Sequence, residues 1–268
     1  MMKRTTVTFL FATLIGIMTT SCSSNQKAEQ LKKAELFYTY GTQKMIDKDY
    51  SQALEALENA NQLNPNDTKT LNNLGLAYYF KNRPEKAKFY FNQSIKIDNK
   101  NSDARNNLAS IYFKEGDYNK AEEHYKIVLK DLIYRYNYRV KYNLSLIELK
   151  RGNKDAAVKY LQEVTGYTLD YCPAPYQLAL IYKKDGNIKE AIKNLNIATT
   201  GECKKEIAPK FELAEIYRSL GEAKKALPLY NEIIEQFPRT DYAKRSLVIK
   251  NNLMKNVYYS NKFETDNL

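Results

Sequence analysis

Very few residues of this chain have side chains suited to catalysis or metal binding. His124 is the only histidine, and the three cysteines lie far apart, at Cys22, Cys172 and Cys203. No Cys-x-x-Cys pair or Cys/His cluster joins them, so neither a metal site nor thioredoxin-like chemistry has support. The sequence also lacks a nucleophile elbow and a glycine loop that would hold phosphate. We therefore predict no catalytic residue, metal ion, cofactor or small-molecule substrate, and expect the protein not to be an enzyme.

The N-terminal segment has the composition of an export signal. Lys3 and Arg4 precede a short, mainly apolar stretch at residues 7–18. Such a stretch is too short to span a bilayer comfortably, which favours export over a permanent transmembrane helix. We interpret residues 1–21 as a signal peptide.

Cys22, directly after this stretch, resembles the cysteine of bacterial lipoprotein signals, whose thiol receives diacylglycerol. The resemblance predicts that Cys22 carries the lipid, and Ser23 after it suggests sorting to the outer membrane, on the periplasmic face. Thr19 departs from the pattern, because such signals usually have Leu there. Cleavage nearby, leaving a soluble periplasmic protein, is therefore the alternative. Residues 22–33 would serve as a polar tether.

The rest of the chain is organised by a repeat with a period close to 34 residues. Six alanines mark the repeat, with spacings of 34, 34, 36, 34 and 35 residues. A small residue precedes each alanine by twelve positions, and a bulky residue follows it by four. Two helices pack closely only where one of them lacks a large side chain, so the pattern predicts helical hairpins. The alanines are Ala53, Ala87, Ala121, Ala157, Ala191 and Ala226; the small residues are Gly41, Gly75, Ala109, Ser145, Ala179 and Ala214; the bulky residues are Leu57, Phe91, Tyr125, Leu161, Leu195 and Tyr230.

The turn inside each hairpin favours a residue that tolerates positive φ. Glycine occupies the turn in four units, and Lys48 and Asn82 occupy it in the other two. The whole pattern resembles the tetratricopeptide repeat and implies an all-α, right-handed α-solenoid of about six repeats over residues 34–240. Residues 241–268 would form a capping helix and a frayed tail. The units are 34–67, 68–101, 102–135, 138–171, 172–205 and 207–240.

The repeat places Cys172 just before the first helix of the fifth unit and Cys203 shortly before the first helix of the sixth. One helical hairpin separates them, and a hairpin returns the chain to the edge it left. Because an exported protein can oxidise its thiols, we predict a Cys172–Cys203 disulfide. Two unpaired buried thiols are the alternative.

In this architecture the first helix of each unit lines a concave groove, where we expect a protein partner to bind. Its sixth position carries amides at Asn73, Asn107, Asn143 and Gln177. Such a ladder can pair with the backbone of an extended peptide, although these amides can instead tie neighbouring helices together. The other predicted groove residues are Tyr38, Met45, Leu76, Tyr79, Phe80, Phe113 and Tyr142.

The formal net charge of +11 favours acidic partners. However, the lysines are scattered beside Glu and Asp through the helical segments and form no basic arm. A solvated surface explains them better than nucleic-acid binding, so we predict no nucleic-acid partner.

The junction between the third and fourth units carries a narrower resemblance, at Asn106, Asn107, Leu108, Gly116, Tyr118, Ala121, Tyr134, Arg139, Val140, Asn143 and Leu144. It is similar to the PilF/PilW/Tgl family of type IV pilus pilotins, with departures at Arg135, Asn137 and Ser145. This resemblance implies a role in the localisation and multimer assembly of the outer-membrane secretin, whose subunit would be the partner. A general periplasmic adaptor for peptidoglycan enzymes or outer-membrane assembly factors is the alternative.

Overall fold

The computed structural model describes residues 5–265, with the side chains of residues 25–255. The side chains of residues 1–24 are therefore not described. The predicted signal peptide and the predicted lipid attachment at Cys22 fall among them. The described residues form thirteen α-helices and one short 3-10 helix, without a β-strand, and the predicted all-α class is confirmed. The helices are α1 Thr5–Ile46, α2 Tyr50–Leu63, α3 Thr68–Phe80, α4 Pro84–Ile97, α5 Ser102–Glu115, α6 Tyr118–Val128, α7 Asn137–Lys150, α8 Lys154–Tyr167, α9 Pro173–Lys184, α10 Ile188–Ile197, α11 Ile207–Ser219, α12 Ala223–Gln236 and α13 Asp241–Thr265, with the 3-10 helix at Gly201–Lys205.

The helices pack in consecutive pairs within two compact units, residues 1–134 and residues 135–268. In the N-terminal unit, α1 packs on α2, α3 on α4 and α5 on α6. In the C-terminal unit, α7 packs on α8, α9 on α10 and α11 on α12, and α13 packs on α12. The residues predicted as a polar tether lie within α1, where residues 25–33 are exposed.

Small residues set the distance between the two helices of a pair. A Cβ atom added to Gly75 would lie 2.5 Å from Cε1 of Phe91, and one added to Gly41 would lie 2.8 Å from Cγ of Leu57. The bulky side chain of the second helix therefore fills the space that the glycine of the first helix leaves. All six marker alanines are fully buried at the same contact.

The turns adopt the backbone that the sequence predicts. Gly116 has a φ of 84°, and Asn82 and Lys48 have φ values of 56° and 62° at the equivalent positions of their hairpins. A left-handed residue ends the first helix and lets the chain reverse within a few residues. Acidic or amide side chains then start several of the following helices: the Asp49 carboxylate accepts a hydrogen bond from the Gln52 N–H at 3.1 Å.

A disulfide fastens two connections of the C-terminal unit. Cys172 and Cys203 are bonded, with their Cα atoms 5.5 Å apart, and the bond joins the start of α9 to the 3-10 helix. Lys210 of α11 lies against the same segment. Its side chain is buried, donates to the backbone carbonyl of Lys204 at 2.9 Å and forms an ion pair with Glu232.

Candidate protein-binding face

In the N-terminal unit, the first helices α1, α3 and α5 lie side by side and form what we call the N-terminal face. The Asn73 amide of α3 donates to Oγ1 of Thr42 at 3.0 Å, and the Asn107 amide of α5 donates to Oδ1 of Asn72 at 3.0 Å. Each bond links neighbouring first helices, which agrees with the alternative that these amides tie helices together. Since a primary amide has two N–H donors and a carbonyl acceptor, one such bond leaves it further capacity to pair with a peptide.

Apolar residues recur at one position of the three helices of this face. Met45, Tyr79 and Phe113 are spaced by 34 residues, and all three are partly buried. Tyr38, Leu76, Met45 and Tyr79 pack against the buried cluster that includes Leu74 and Phe91. These side chains are thus held in place by the core while part of their surface stays accessible.

Phe80 extends the apolar surface to the end of α3. Its side chain is 50% exposed, and its ring stacks on Tyr50 with centroids 4.7 Å apart. Beside it, the Lys114 ammonium lies 5.2 Å from the centre of the Tyr79 ring, a cation–π contact between α5 and α3. Partly exposed aromatic rings fixed by stacking are suited to anchor a partner's apolar side chains.

The first helices of the C-terminal unit, α7, α9 and α11, form what we call the C-terminal face. The positions that hold Met45, Tyr79 and Phe113 in the N-terminal face hold Leu149, Lys183 and Arg218 here. Lys183 Nζ lies 2.6 Å from Oε2 of Glu212. Arg218 donates two hydrogen bonds to Glu215, at 3.0 and 2.8 Å. Two of the three positions are therefore occupied by ion pairs.

The predicted groove residues of this unit are partly buried, like most of those of the N-terminal face. Tyr142 is partly buried beside Tyr171, with ring centroids 5.3 Å apart, and burial raises its pKa. Asn143 and Gln177 are partly buried on α7 and α9. Tyr176 is also partly buried; burial first, and the nearby Glu212 carboxylate second, raise the pKa of Tyr176 to about 12.

Sequence reasoning did not find the partners of the charged residues in these faces. Lys183 and Glu212 are 29 positions apart and meet only because α9 and α11 are neighbours. The repeat itself was the available signal, since it places α9 and α11 as successive first helices. His124 is partly buried and stacks on Tyr112, with ring centroids 5.8 Å apart. Its pKa is lowered, chiefly by burial and then by Arg105.

Two further properties concern only the described residues. None of their helices combines the length and the apolar character needed to cross a membrane. Their His, Cys, Asp and Glu side chains form no group that could hold a metal ion.

Family models described as "Tetratricopeptide repeat" match most of the hairpins. One model matches residues 68–101, 138–171 and 175–199, a second matches residues 90–123, and a third matches residues 210–240. Together these matches cover more than half of the chain. Photosystem I assembly protein Ycf3 of Rippkaea orientalis is 30% identical over 137 residues, which are 45% of this chain and 78% of that protein.

Type IV pilus proteins are among the relatives in sequence and in fold. Type IV pilus assembly protein PilF of Pseudomonas aeruginosa is 28% identical over 102 residues, which are 37% of this chain but only 40% of that protein. The solved structure of Pseudomonas aeruginosa PilF superposes with a TM-score of 0.69 at 14% identity, over 83% of this chain and 100% of that one. PilW, a type IV pilus biogenesis factor, superposes with a TM-score of 0.68 at 18% identity, over 80% and 98% of the two chains. At these identities, the two superpositions establish a shared fold.

Proposed function

The chain belongs to the tetratricopeptide-repeat family, and from this premise we propose that it is a protein-binding scaffold of type IV pilus biogenesis. In this proposal it is anchored to the outer membrane by a lipid on Cys22 and faces the periplasm. There it helps the subunit of the pilus secretin reach the membrane and assemble into a multimer.

The N-terminal face supports the binding role. Partly exposed Met45, Tyr79 and Phe113, together with the half-exposed Phe80, provide an apolar surface on a rigid set of helices. Preformed apolar surfaces with aromatic anchors lose little entropy on binding, which favours a partner's apolar helix or extended segment. The Asn73 and Asn107 amides lie on the same helices and supply polar groups for a partner's backbone.

The similarity to PilF carries the pilus assignment. It comes from sequence and fold together, and the fold match extends over the full length of the solved PilF chain. The matching residues at the junction of the third and fourth units, such as Gly116, Arg139 and Val140, add support. The N-terminal segment supports the membrane anchor, because a basic start and an apolar stretch precede Cys22.

The experiment that tests this proposal removes the gene and measures heat-resistant secretin multimers in the cell envelope. We expect the multimers to fall strongly and the secretin subunit to accumulate as monomer. Complementation with the unchanged gene should restore them, whereas Cys22→Ser should restore them only in part, because the scaffold would no longer stay at the membrane. Undiminished multimers in the deletion strain would end the proposal.

Purification of the scaffold from detergent extracts separates the general adaptor from the secretin factor. Recovery of secretin subunit supports the proposal. Recovery of peptidoglycan enzymes or outer-membrane assembly factors, with secretin absent, would replace it by the adaptor role.

A further inference from the structure

Two aliphatic side chains project from the segment that follows α6. Leu132 is 91% exposed and Ile133 is 93% exposed, more than any other large apolar side chain of the described residues. Single exposed apolar residues are ordinary on protein surfaces, whereas contiguous exposed apolar surface is a mark of interaction sites.

Hydrogen bonds to α5 hold this segment in place. The Asp131 carboxylate accepts from the Ser102 hydroxyl at 2.6 Å and from the backbone N–H of Ile133 at 3.2 Å. The Tyr134 hydroxyl donates to Asp103 at 3.1 Å. The two aliphatic side chains are therefore presented by a fixed backbone, which lowers the entropy cost of binding.

A cavity of about 570 Å³ lies beside these side chains, and we call it the Ile133 cavity. Its apolar wall is formed by Ile127, Leu132 and Ile133. Lys100, Arg105 and Lys130 also belong to its lining.

The charges of the residues that line the Ile133 cavity are unbalanced. Arg105 is oriented by two hydrogen bonds from its guanidinium to the Asn99 carbonyl, at 3.1 and 3.0 Å. The single carboxylate of the lining belongs to Asp131, which already accepts from Ser102 and from the backbone. The lining thus holds three cationic residues and one engaged carboxylate, which favours an anionic occupant.

We propose that the Ile133 cavity binds an acidic, apolar segment of a partner polypeptide. An aliphatic or aromatic side chain of the partner enters between Ile127 and Ile133, and neighbouring carboxylates meet Lys100 and Lys130. The apolar contact excludes water from the ion pairs and strengthens them. This inference rests on the proposed function, because it names a second surface of the same protein-binding scaffold.

The volume of the cavity favours a polypeptide over a bilayer. A cavity of several hundred Å³ accommodates a large side chain with its flanking backbone. Binding to a lipid surface needs only exposed apolar and cationic groups, and a concave site adds nothing to it.

The test uses the full chain in detergent and fluorescein-labelled peptides of ten residues with an Asp-Leu-Asp-Phe core. Control peptides carry Asn-Leu-Asn-Phe or Asp-Ser-Asp-Ser in place of that core. Fluorescence anisotropy at low salt should show that the first peptide binds at least about tenfold more tightly than either control. No binding of the first peptide, or equal binding of the Asn-Leu-Asn-Phe peptide, would overturn the proposal.

Variants locate the bound peptide. The double substitution K100Q/K130Q should weaken binding about tenfold, and L132S/I133S should weaken it by a similar factor through loss of the apolar wall. The matched control K189Q/K193Q removes two exposed positive charges from α10 and should leave the affinity unchanged. Circular dichroism establishes that each variant is folded, and equal binding by K100Q/K130Q and the unchanged chain would overturn the proposal.

Two other occupants give different results. If phosphatidylglycerol vesicles, and not the acidic peptide, bind in a way that L132S/I133S abolishes, the cavity is a lipid site and the proposal is wrong. If L132S/I133S dissociates a dimer of the chain, the occupant is a second copy and the proposal is equally wrong. If gene deletion reduces secretin multimers but the acidic peptide does not bind, only this inference is refuted. If the peptide binds but gene deletion leaves the multimers undiminished, only the pilus function is refuted.

Discussion

The N-terminal and C-terminal faces use the same helical repeat for different surfaces. In residues 1–134 the equivalent positions of the first helices carry Met45, Tyr79 and Phe113. In residues 135–268 they carry Leu149, Lys183 and Arg218, and the last two are paired with carboxylates. An apolar face gains free energy when a partner covers it, whereas ion pairs must be broken or desolvated first. We therefore expect the N-terminal face to be the main binding surface.

The core is less variable than the faces. Ala87 and Phe91 form the contact of one helix pair in the N-terminal unit, and Ala157 and Leu161 are their equivalents in the C-terminal unit. The exposed fraction of each of these four side chains is at most 1%. The repeat therefore specifies the contact between paired helices and leaves the outer positions free to specialise. A second difference is covalent, because the bond between Cys172 and Cys203 lies in the C-terminal unit.

The largest expected effect comes from removing this bond. The double substitution C172S/C203S should lower the free energy of unfolding of the C-terminal unit by about 3–4 kcal/mol, since the bond closes a loop with a sequence separation of 31. Thermal unfolding would measure the loss, and hydrogen exchange would locate it in the chain. Protection in α3 and α4 should not change, and an equal loss in both units would contradict the local role of the bond.

The glycine contact of the N-terminal unit gives the next effect. Gly75→Ala should destabilise the protein by about 1–3 kcal/mol, because its Cβ would approach the Phe91 ring to 2.5 Å. Gly166→Ala in α8 is the matched control, since a Cβ there meets nothing within 4 Å. Chemical denaturation should show the control to be neutral or stabilised by less than about 1 kcal/mol. Equal effects of the two substitutions would mean that the helices are not held at the predicted distance.

An ion pair of the C-terminal face should contribute less. Glu212→Gln removes the negative charge that pairs with Lys183, whose side chain is 42% exposed, and should cost under about 1 kcal/mol. The difference from the unchanged chain should shrink at high salt because exposed charges are screened. A loss that high salt does not reduce would show that Glu212 acts through another contact.

The fourth effect appears only at alkaline pH. The pKa of Tyr176 is raised to about 12, whereas an unfolded tyrosine ionises near pH 10. Between these values the unfolded chain binds fewer protons than the folded chain, so the stability contributed below pH 10 falls as the pH rises towards 12. Tyr176→Phe should make this decline shallower in pH-dependent thermal unfolding. An unchanged slope would exclude Tyr176 as a contributor.

Much of the fold could be predicted because the repeat gives each position six examples. The buried Ala191 and the left-handed turn at Asn82 follow from their places in the repeat. The burial of Lys210 does not, because lysine is usually a surface residue and this one depends on Lys204 and Glu232. The Ile133 cavity was also missed, since it depends on how one irregular connection meets α5.

Lipidation of Cys22 and binding by the predicted groove residues remain predictions. The Asn73 and Asn107 amides illustrate why sequence alone left two possibilities. The same side chain can bind a partner's backbone or link two helices, and its position in the repeat is identical in both cases.

Photocrosslinking in living cells compares partner binding by the two faces. A benzoylphenylalanine residue replaces Tyr79 in one strain and Lys183 in another, and mass spectrometry identifies the products. We predict an adduct with the secretin subunit from position 79 and little or none from position 183. Adducts with the secretin subunit from position 183, with none from position 79, would show that the N-terminal face is not the main binding surface.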